Sequence, residues 1–421
     1  MSKLKTFLQG LKGKKIHVIG FSGTEGAAIA LFLARKGVKN LHFHDFCEEK
    51  KFKKHFREAH VGFSAKEREE LFKELGKISA NFYFKENYLK DVEKADIIFV
   101  PQSWYLYEFN KPLWGLKKKR GITFSSITKL YFDLVPAKIV GITGSNGKTT
   151  TSNMINGIFQ ASRFQTYFSG NDRRNVQILE KIEKMTAEDF LVLEISNRQL
   201  KVDLKRSPNI GILTNITPNH LFEYSSFAEY EDSKEGMLKY QKKRDFAILN
   251  FDNPSSQKII RKGKYNVFPF STEEILERGA FVRGGVMVVK DAGKEYKICK
   301  TGELKIKGKH NISNALAAIA TAYLAEVKIE VIRDAIKKFR GLPQRLELVR
   351  KIKGVEFYND TASTAPESTI AALDTLKSNV ILIAGGRNKG VEIEPLAKKL
   401  PDKVKDLILL ESPLGEEINR L

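Results

Sequence analysis

A chain of 421 residues is long enough for two to four domains, and a 42% hydrophobic content supplies apolar cores for them. Two cysteines, Cys47 and Cys299, and the lack of any apolar run of transmembrane length exclude a disulfide-stapled module and a membrane bundle, so a cytoplasmic protein without a membrane partner is expected. Lys plus Arg number 72 against 50 for Asp plus Glu, a formal charge of +22. The basic residues are scattered in runs such as 50–54, 117–120 and 242–244, with no nucleic-acid motif beside them, so solvated faces are expected and a nucleic-acid partner is not.

In chain order, residues 15–20 predict a short buried strand. It runs into Phe21-Ser22-Gly23-Thr24-Glu25-Gly26, then an apolar helix over 27–37 and a second strand over 40–45 that ends in Asp45. Strand, glycine turn, helix and acid-tipped strand form the opening unit of a Rossmann-like domain. The G-x-x-G-x-x-G turn fits a nucleotide diphosphate and equally fits a tight turn without a ligand. Residues 67–75 predict a charged helix. Buried strands at 95–101 and 121–126 carry the α/β pattern to about residue 135. Trp104, Tyr105, Tyr107 and Trp114 either line a pocket or pack a core, and packing is the commoner fate of such clusters.

Residues 139–151 read as a buried strand, a glycine turn and a helix start, the pattern of a phosphate-binding loop. Gly141, Gly144 and Gly147 are expected to take positive φ and bring backbone N–H groups to phosphate oxygens. Lys148 would reach the β- and γ-phosphates, and the Thr149 hydroxyl would sit on Mg²⁺. The loop departs from G-x-x-x-x-G-K-[ST], because Ile142 holds the place of the first glycine. Downstream, the apolar run 189–194 delivers Glu194 at a strand end, where α/β ATPases place an acid for Mg²⁺. A strand at 210–215 leads to Ile216-Thr217-Pro218-Asn219-His220, and another runs over 247–252. Short alternating runs over 265–307 predict β-hairpins. Asn311 is expected to start the helix that contains 314–320, residues 341–345 read as a linker, and 355–360 with 380–386 predict strands of a third α/β unit.

These motifs, in this order, resemble the Mur ligase family, ATP-dependent amide-forming enzymes of peptidoglycan precursor synthesis. The carriers are residues 143–150, 193–200, 215–221, 230–234, 308–315, 342–347 and 358–361, and the likeness covers nearly the whole chain. The segment from Glu194 to Leu200 and the pair Asn359-Asp360 resemble the D-glutamate-adding branch. The resemblance implies three α/β domains. Residues 1–135 would form a Rossmann-like domain for a UDP-linked substrate and 136–340 a central ATP-binding domain with a parallel sheet. Residues 341–421 would form a shortened Rossmann-like ligase domain, and a monomer is expected. It also implies ATP, two Mg²⁺ ions, and an acyl phosphate formed on a UDP-sugar-linked amino acid and captured by D-glutamate.

Carried over by position, Lys148 and Thr149, with Gly144, Asn146, Gly147 and Thr150, hold phosphates and a first Mg²⁺, with Glu194 as a further ligand. His220 matches a ligand of the second metal. Lys234 matches a lysine that is carbamylated in the family, its added carboxylate facing Mg²⁺. Asn171, Asn311, Arg345 and Asp360 match nucleotide contacts. Gly20, Ser22, Gly23, Thr24 and Asp45 match the uridine diphosphate site, while Ser196 and Lys389 match contacts to the substrate. The departures are also specific. Thr361-Ala362 stand where the family has Ser-Lys, Asp172-Arg173 replace a glycine turn, Gln344 replaces a histidine, and the sequence reaches Leu421 without the family's Ser- and Phe-containing tail. Two alternatives stay open on the sequence: a Mur-type ligase for another amino acid, and a homologue that binds nucleotide without turnover.

Overall fold

The computed structural model describes the chain except residues 1, 119–120, 171–175, 220, 377–378 and 387–391. It divides into two compact units, one made of residues 1–141, 164–209 and 236–242, the other of 142–163, 210–235 and 243–421.

In the first unit, β1 (Ile16–Ile19), β2 (Leu41–His44), β3 (Asn81–Tyr83), β4 (Ile97–Phe99) and β5 (Thr123–Ser125) form a parallel sheet in the order β3-β2-β1-β4-β5. That order reverses between β1 and β4, the switch point beyond whose carboxyl ends doubly wound sheets bind ligands. β1 and β2 are buried along their whole length, as strands covered on both faces must be. The helix Thr24–Arg35 after β1 buries Ala27, Ile29, Ala30, Phe32 and Leu33. Trp104 is fully buried in a core with Ile98, Val100 and Leu113, and Tyr105 and Trp114 pack on it, so these aromatics are core rather than pocket lining; Tyr107 is exposed.

Three histidines interrupt this apolar sheet. His17 on β1 stands in register with His42 on β2, their rings stacked at 4.4 Å, and His17 Nδ1 lies 2.8 Å from His44 Nε2. Burial is the main cause that holds His17 and His44 down to about 3, with the neighbouring imidazoles adding to it.

β6 (Lys138–Thr143) runs from the first unit into the second and lies within a nine-stranded sheet of order β14-β13-β12-β11-β10-β9-β6-β8-β7. Its remaining strands are β7 (Thr166–Ser169), β8 (Phe190–Glu194), β9 (Ile210–Leu213), β10 (Phe246–Asn250), β11 (Val267–Ser271), β12 (Gly279–Arg283), β13 (Val286–Asp291) and β14 (Lys294–Lys300). β9 to β12 pair in parallel, and β12, β13 and β14 pair antiparallel. The hairpins expected over 265–307 are therefore confined to β12–β14. β11 extends the parallel sheet instead, because it returns from β10 through the helix Pro254–Arg261. The helix Lys309–Leu324 starts two residues before Asn311, after Gly308, and its alanines let it lie against the helix Lys148–Ala161.

Beyond residue 341, β15 (Glu347–Ile352) and β16 (Val355–Asn359) form an antiparallel pair, while β17 (Val380–Ala384) and β18 (Val404–Leu409) form a separate parallel pair. The strands expected over 355–360 and 380–386 are both present, in separate pairs, and the tight turn at Gly354 gives β16 a local partner, β15, that was not expected from the sequence. Both pairs carry exposed apolar residues, among them Val349, Phe357, Ile381 and Ile383.

Candidate functional site

The β6 run Ile139, Val140 and Ile142 is buried, which anchors the turn that follows it. Gly144 has φ 149° and Gly147 φ 84°. A Cβ on Gly144 would fall 2.0 Å from Thr214 Oγ1, and one on Gly147 would fall 2.3 Å from Asn314 Oδ1, so neither tolerates a side chain. Gly141 does not share the positive φ expected of it. It sits inside the strand, where a Cβ would fall 2.9 Å from Pro208 Cγ, and is a packing glycine.

The turn is framed from the end of β9. Asn215 Oδ1 accepts the Asn146 N–H at 3.0 Å, the Asn215 amide donates to the Asn146 carbonyl at 3.2 Å, and Ser145 N–H donates to the Asn215 carbonyl at 2.9 Å. The Ser145 hydroxyl donates to the Thr217 carbonyl at 2.8 Å and lies 3.1 Å from the Tyr230 hydroxyl. In the sequence Asn215, Tyr230 and Asn314 serve only as markers within longer motifs. Together they form the frame that shapes the loop.

Two lysines meet on this frame. Lys148 Nζ donates to the Gly144 carbonyl at 2.8 Å and to the Ser145 carbonyl at 2.9 Å, and Lys234 Nζ donates to the same Gly144 carbonyl at 3.0 Å. Lys234 is only 1% exposed and lies 4.7 Å from the centre of the Tyr230 ring. Burial first, and the Lys148 charge second, hold its amine well below the usual lysine range. A third cation comes from the segment after residue 341: Arg345 Nη2 donates to Thr149 Oγ1 at 2.9 Å. Ser368 Oγ reaches Asn146 Oδ1 at 3.2 Å.

Gly144, Asn146, Gly147, Lys148, Thr149, Lys234 and Arg345 thus come together, with Thr150 buried in the first helical turn beside them. Asn311 joins at one remove. It accepts from Asn314 at 3.4 Å, and Asn314 accepts from Thr151 at 3.3 Å. Asp360 accepts the Leu346 N–H at 2.7 Å and so braces the segment that carries Arg345. Glu194 is buried at the end of β8 in the first unit. Asn171, His220 and Lys389 lie outside the described residues. Among the described residues no three His, Cys, Asp or Glu side chains gather as a metal cage. Mg²⁺ does not need one, since it binds through one or two protein oxygens together with phosphate oxygens, and the Thr149 hydroxyl in the first helical turn after the loop is an oxygen of that kind.

The first glycine turn is arranged differently. Asp45, at the end of β2, accepts the Ser22 N–H at 2.8 Å on one oxygen and the Cys47 N–H at 3.2 Å on the other. Gly20 has φ 69°, the Gly23 N–H bonds the Gly20 carbonyl at 3.0 Å, and Gly23 precedes the helix that opens at Thr24. Ser196 is buried and donates to Gln102 Oε1 at 2.9 Å within the same unit. The sequence reading assigned nothing to Glu25, a carboxylate buried in the first turn of an otherwise apolar helix. That mismatch of charge and surroundings was its only sequence signal.

Comparison with known proteins agrees with this geometry. Residues 142–322 match the Mur ligase middle domain, and residues 344–421 match the Mur ligase glutamate ligase domain. A UDP-N-acetylmuramoylalanine--D-glutamate ligase from Acetivibrio thermocellus is 34% identical over 409 residues, which is 97% of this chain and 82% of that protein. Among solved structures, the UDP-N-acetylmuramate-alanine ligase MurC from Thermotoga maritima shares the fold with a TM-score of 0.59 at 18% identity, over 97% of this chain and 87% of that one. The MurF ligase from Thermotoga maritima, solved in complex with ADP, does so with a TM-score of 0.52 at 18% identity, over 81% and 82%. With a lysine-rich glycine turn framed by Asn215, Tyr230 and Asn314, and a likeness that runs through nearly the whole length, the chain belongs to the Mur ligase family.

Proposed function

We propose that this chain is an ATP-dependent ligase that joins D-glutamate to UDP-N-acetylmuramoyl-L-alanine in peptidoglycan precursor synthesis. The observation that carries the reading is the meeting of Lys148 and Lys234 on the Gly144 carbonyl, with Arg345 on the neighbouring Thr149 hydroxyl. The cationic side chains of Lys148 and Arg345 around backbone amides at a helix start suit a polyphosphate. The substrate carboxylate attacks the γ-phosphorus of ATP, the bond to the ADP oxygen breaks, and an acyl phosphate forms. The D-glutamate amine then attacks the acyl carbon, loses a proton, and the carbon–oxygen bond to phosphate breaks. Lys148, Arg345 and the loop amides offset the charge that gathers as carboxylate and triphosphate approach. Mg²⁺ would supply further neutralisation of the phosphate oxygens; by the family's pattern Thr149 and Glu194 would hold a first ion and His220 a second.

Lys234 has a second role in this reading. An amine whose proton is loosened by burial and by the Lys148 charge gives it up more readily, and in its neutral form it would add carbon dioxide to give a carbamate with release of a proton. The product is a carboxylate where an amine stood, which suits a metal site. The reading divides the labour: 1–135 for the UDP-sugar, 136–340 for ATP, 341–421 for the incoming amino acid. Phosphate release by the purified protein with UDP-N-acetylmuramoyl-L-alanine, ATP and Mg²⁺, measured against a panel of amino acids, tests it. Release that depends on D-glutamate is expected, and release with another amino acid in its place overturns the substrate assignment.

A further inference from the structure

Glu25 is buried, yet among the described residues no cation is bonded to it. Its carboxylate accepts the Gln102 N–H at 2.7 Å on one oxygen and the Gln199 side-chain amide at 3.1 Å on the other. Gln199 in turn accepts the Ser196 N–H at 2.9 Å, and the Ser196 hydroxyl donates to Gln102 Oε1 at 2.9 Å. The four residues close a ring. It ties three segments of the first unit: the helix start after the first glycine turn, the segment after β4, and the segment after β8. Glu25 lies one residue before Gly26, where a Cβ would fall 2.3 Å from the Gly20 carbonyl, so the helix start packs directly against the turn with no room for a side chain between them.

Burying a carboxylate is costly, and burial does push the Glu25 carboxyl up. A glutamine side chain at this position would offer one acceptor where two donors, the Gln102 N–H and the Gln199 amide, demand two. The ring therefore needs a carboxylate at one of positions 25 and 199 and an amide at the other.

We propose that Glu25 is a positioning residue for the nucleotide-sugar substrate: through Gln199 it sets the orientation of Ser196 and locks the segment after β8 to the first glycine turn. This rests on the ligase reading, in which both segments face the UDP-linked substrate. The position of Glu25 then governs affinity for that substrate and leaves the phosphate loop untouched.

The test is calorimetric titration of wild type and Glu25→Gln with UDP-N-acetylmuramoyl-L-alanine and, separately, with a non-hydrolysable ATP analogue, alongside thermal melting. Glu25→Gln is expected to weaken nucleotide-sugar binding about tenfold, the effect of leaving a buried donor unsatisfied, with the ATP analogue bound as before. The double variant Glu25→Gln, Gln199→Glu restores the ring with its polarity exchanged. The amide introduced by the first substitution then accepts from the Gln102 N–H and donates to the carboxylate introduced by the second, which still accepts the Ser196 N–H, so most of the lost affinity returns. Unchanged nucleotide-sugar affinity in Glu25→Gln, equal weakening toward both ligands, or no recovery in the double variant overturns the inference. If Glu25→Gln does not fold, the double variant alone decides by the same two affinities. A wild type that binds ATP analogue but no nucleotide-sugar brings down the ligase reading itself, a result distinct from the others.

Discussion

The molecule uses strand, glycine turn and helix twice, with opposite electrostatics. The turn after β6 is met by Lys148, Lys234 and Arg345. The turn after β1 is met by carboxylates: Asp45 holds its Ser22 N–H, and Glu25 stands in the helix that follows. Backbone N–H groups at a helix start attract anions, and in the first turn Asp45 already takes the one at Ser22. Local sequence pattern therefore sets the backbone of such a turn, while residues arriving from distant segments set what it can bind.

The contrast can be broken most sharply at Lys148. Lys148→Ala is expected to lower D-glutamate-dependent phosphate release on the order of 10²- to 10³-fold, as loss of one preorganised charge contact does, with little change in melting temperature. A comparable loss of melting temperature would mean that the lysine holds the fold instead.

Lys234 comes next. Supplying carbon-13-labelled bicarbonate should give a carbamate signal in the wild type that is lost in Lys234→Met, and activity should fall when carbon dioxide is stripped from the buffer. A signal of equal strength in Lys234→Met would assign the carbamate to another lysine.

The layers beneath the two turns differ as well, and acid should expose this. His17 and His44 are held to about 3 in the folded chain against an ordinary value near 6.5. Between those values the unfolded chain binds protons that the native chain refuses, so stability falls as pH drops below about 6.5, by up to about 1.4 kcal/mol per pH unit for each group. Denaturant melts from pH 7 to pH 4 should show this slope and a shallower one in His17→Phe, a substitution that keeps a ring in the stack.

Two glycines complete the series. Gly147→Ala places a Cβ against Asn314 at a positive φ and should cost about 1–3 kcal/mol of stability together with nucleotide affinity. Gly23→Ser should change stability by only a few tenths of a kcal/mol, in the stabilising direction. Gly23 has φ −83° and ψ 161°, an extended N-cap geometry that a serine adopts and can cap. Chemical denaturation of both variants reads the difference directly.

Much of this was legible along the chain. Runs such as 16–19 and 190–194, apolar apart from His17 and Glu194, are what a sheet covered on both faces requires, and the glycines announced both turns. What stayed hidden involves partners far away in the chain. Gly141 shares its spacing with Gly144 and Gly147, but its reason is Pro208. The order of β11 in the sheet depends on the crossover through Pro254–Arg261, and alternating hydrophobicity does not distinguish a parallel partner from a hairpin partner. Glu25 and Gln199 stand 174 residues apart, a separation that no local pattern spans. Lys234 was identified by resemblance, whereas the low basicity that suits its chemistry follows from burial beside Lys148, which only the fold brings about.

The bond from Arg345 to Thr149 carries a thermodynamic obligation. Its guanidinium holds the hydroxyl that a phosphate-bound metal would claim in the proposed function, so an arriving nucleotide would compete with a contact made by the chain itself. Coupling of this kind is symmetric: a substitution near Arg345 that frees the hydroxyl should tighten nucleotide binding by the same factor by which nucleotide loosens the grip of the arginine.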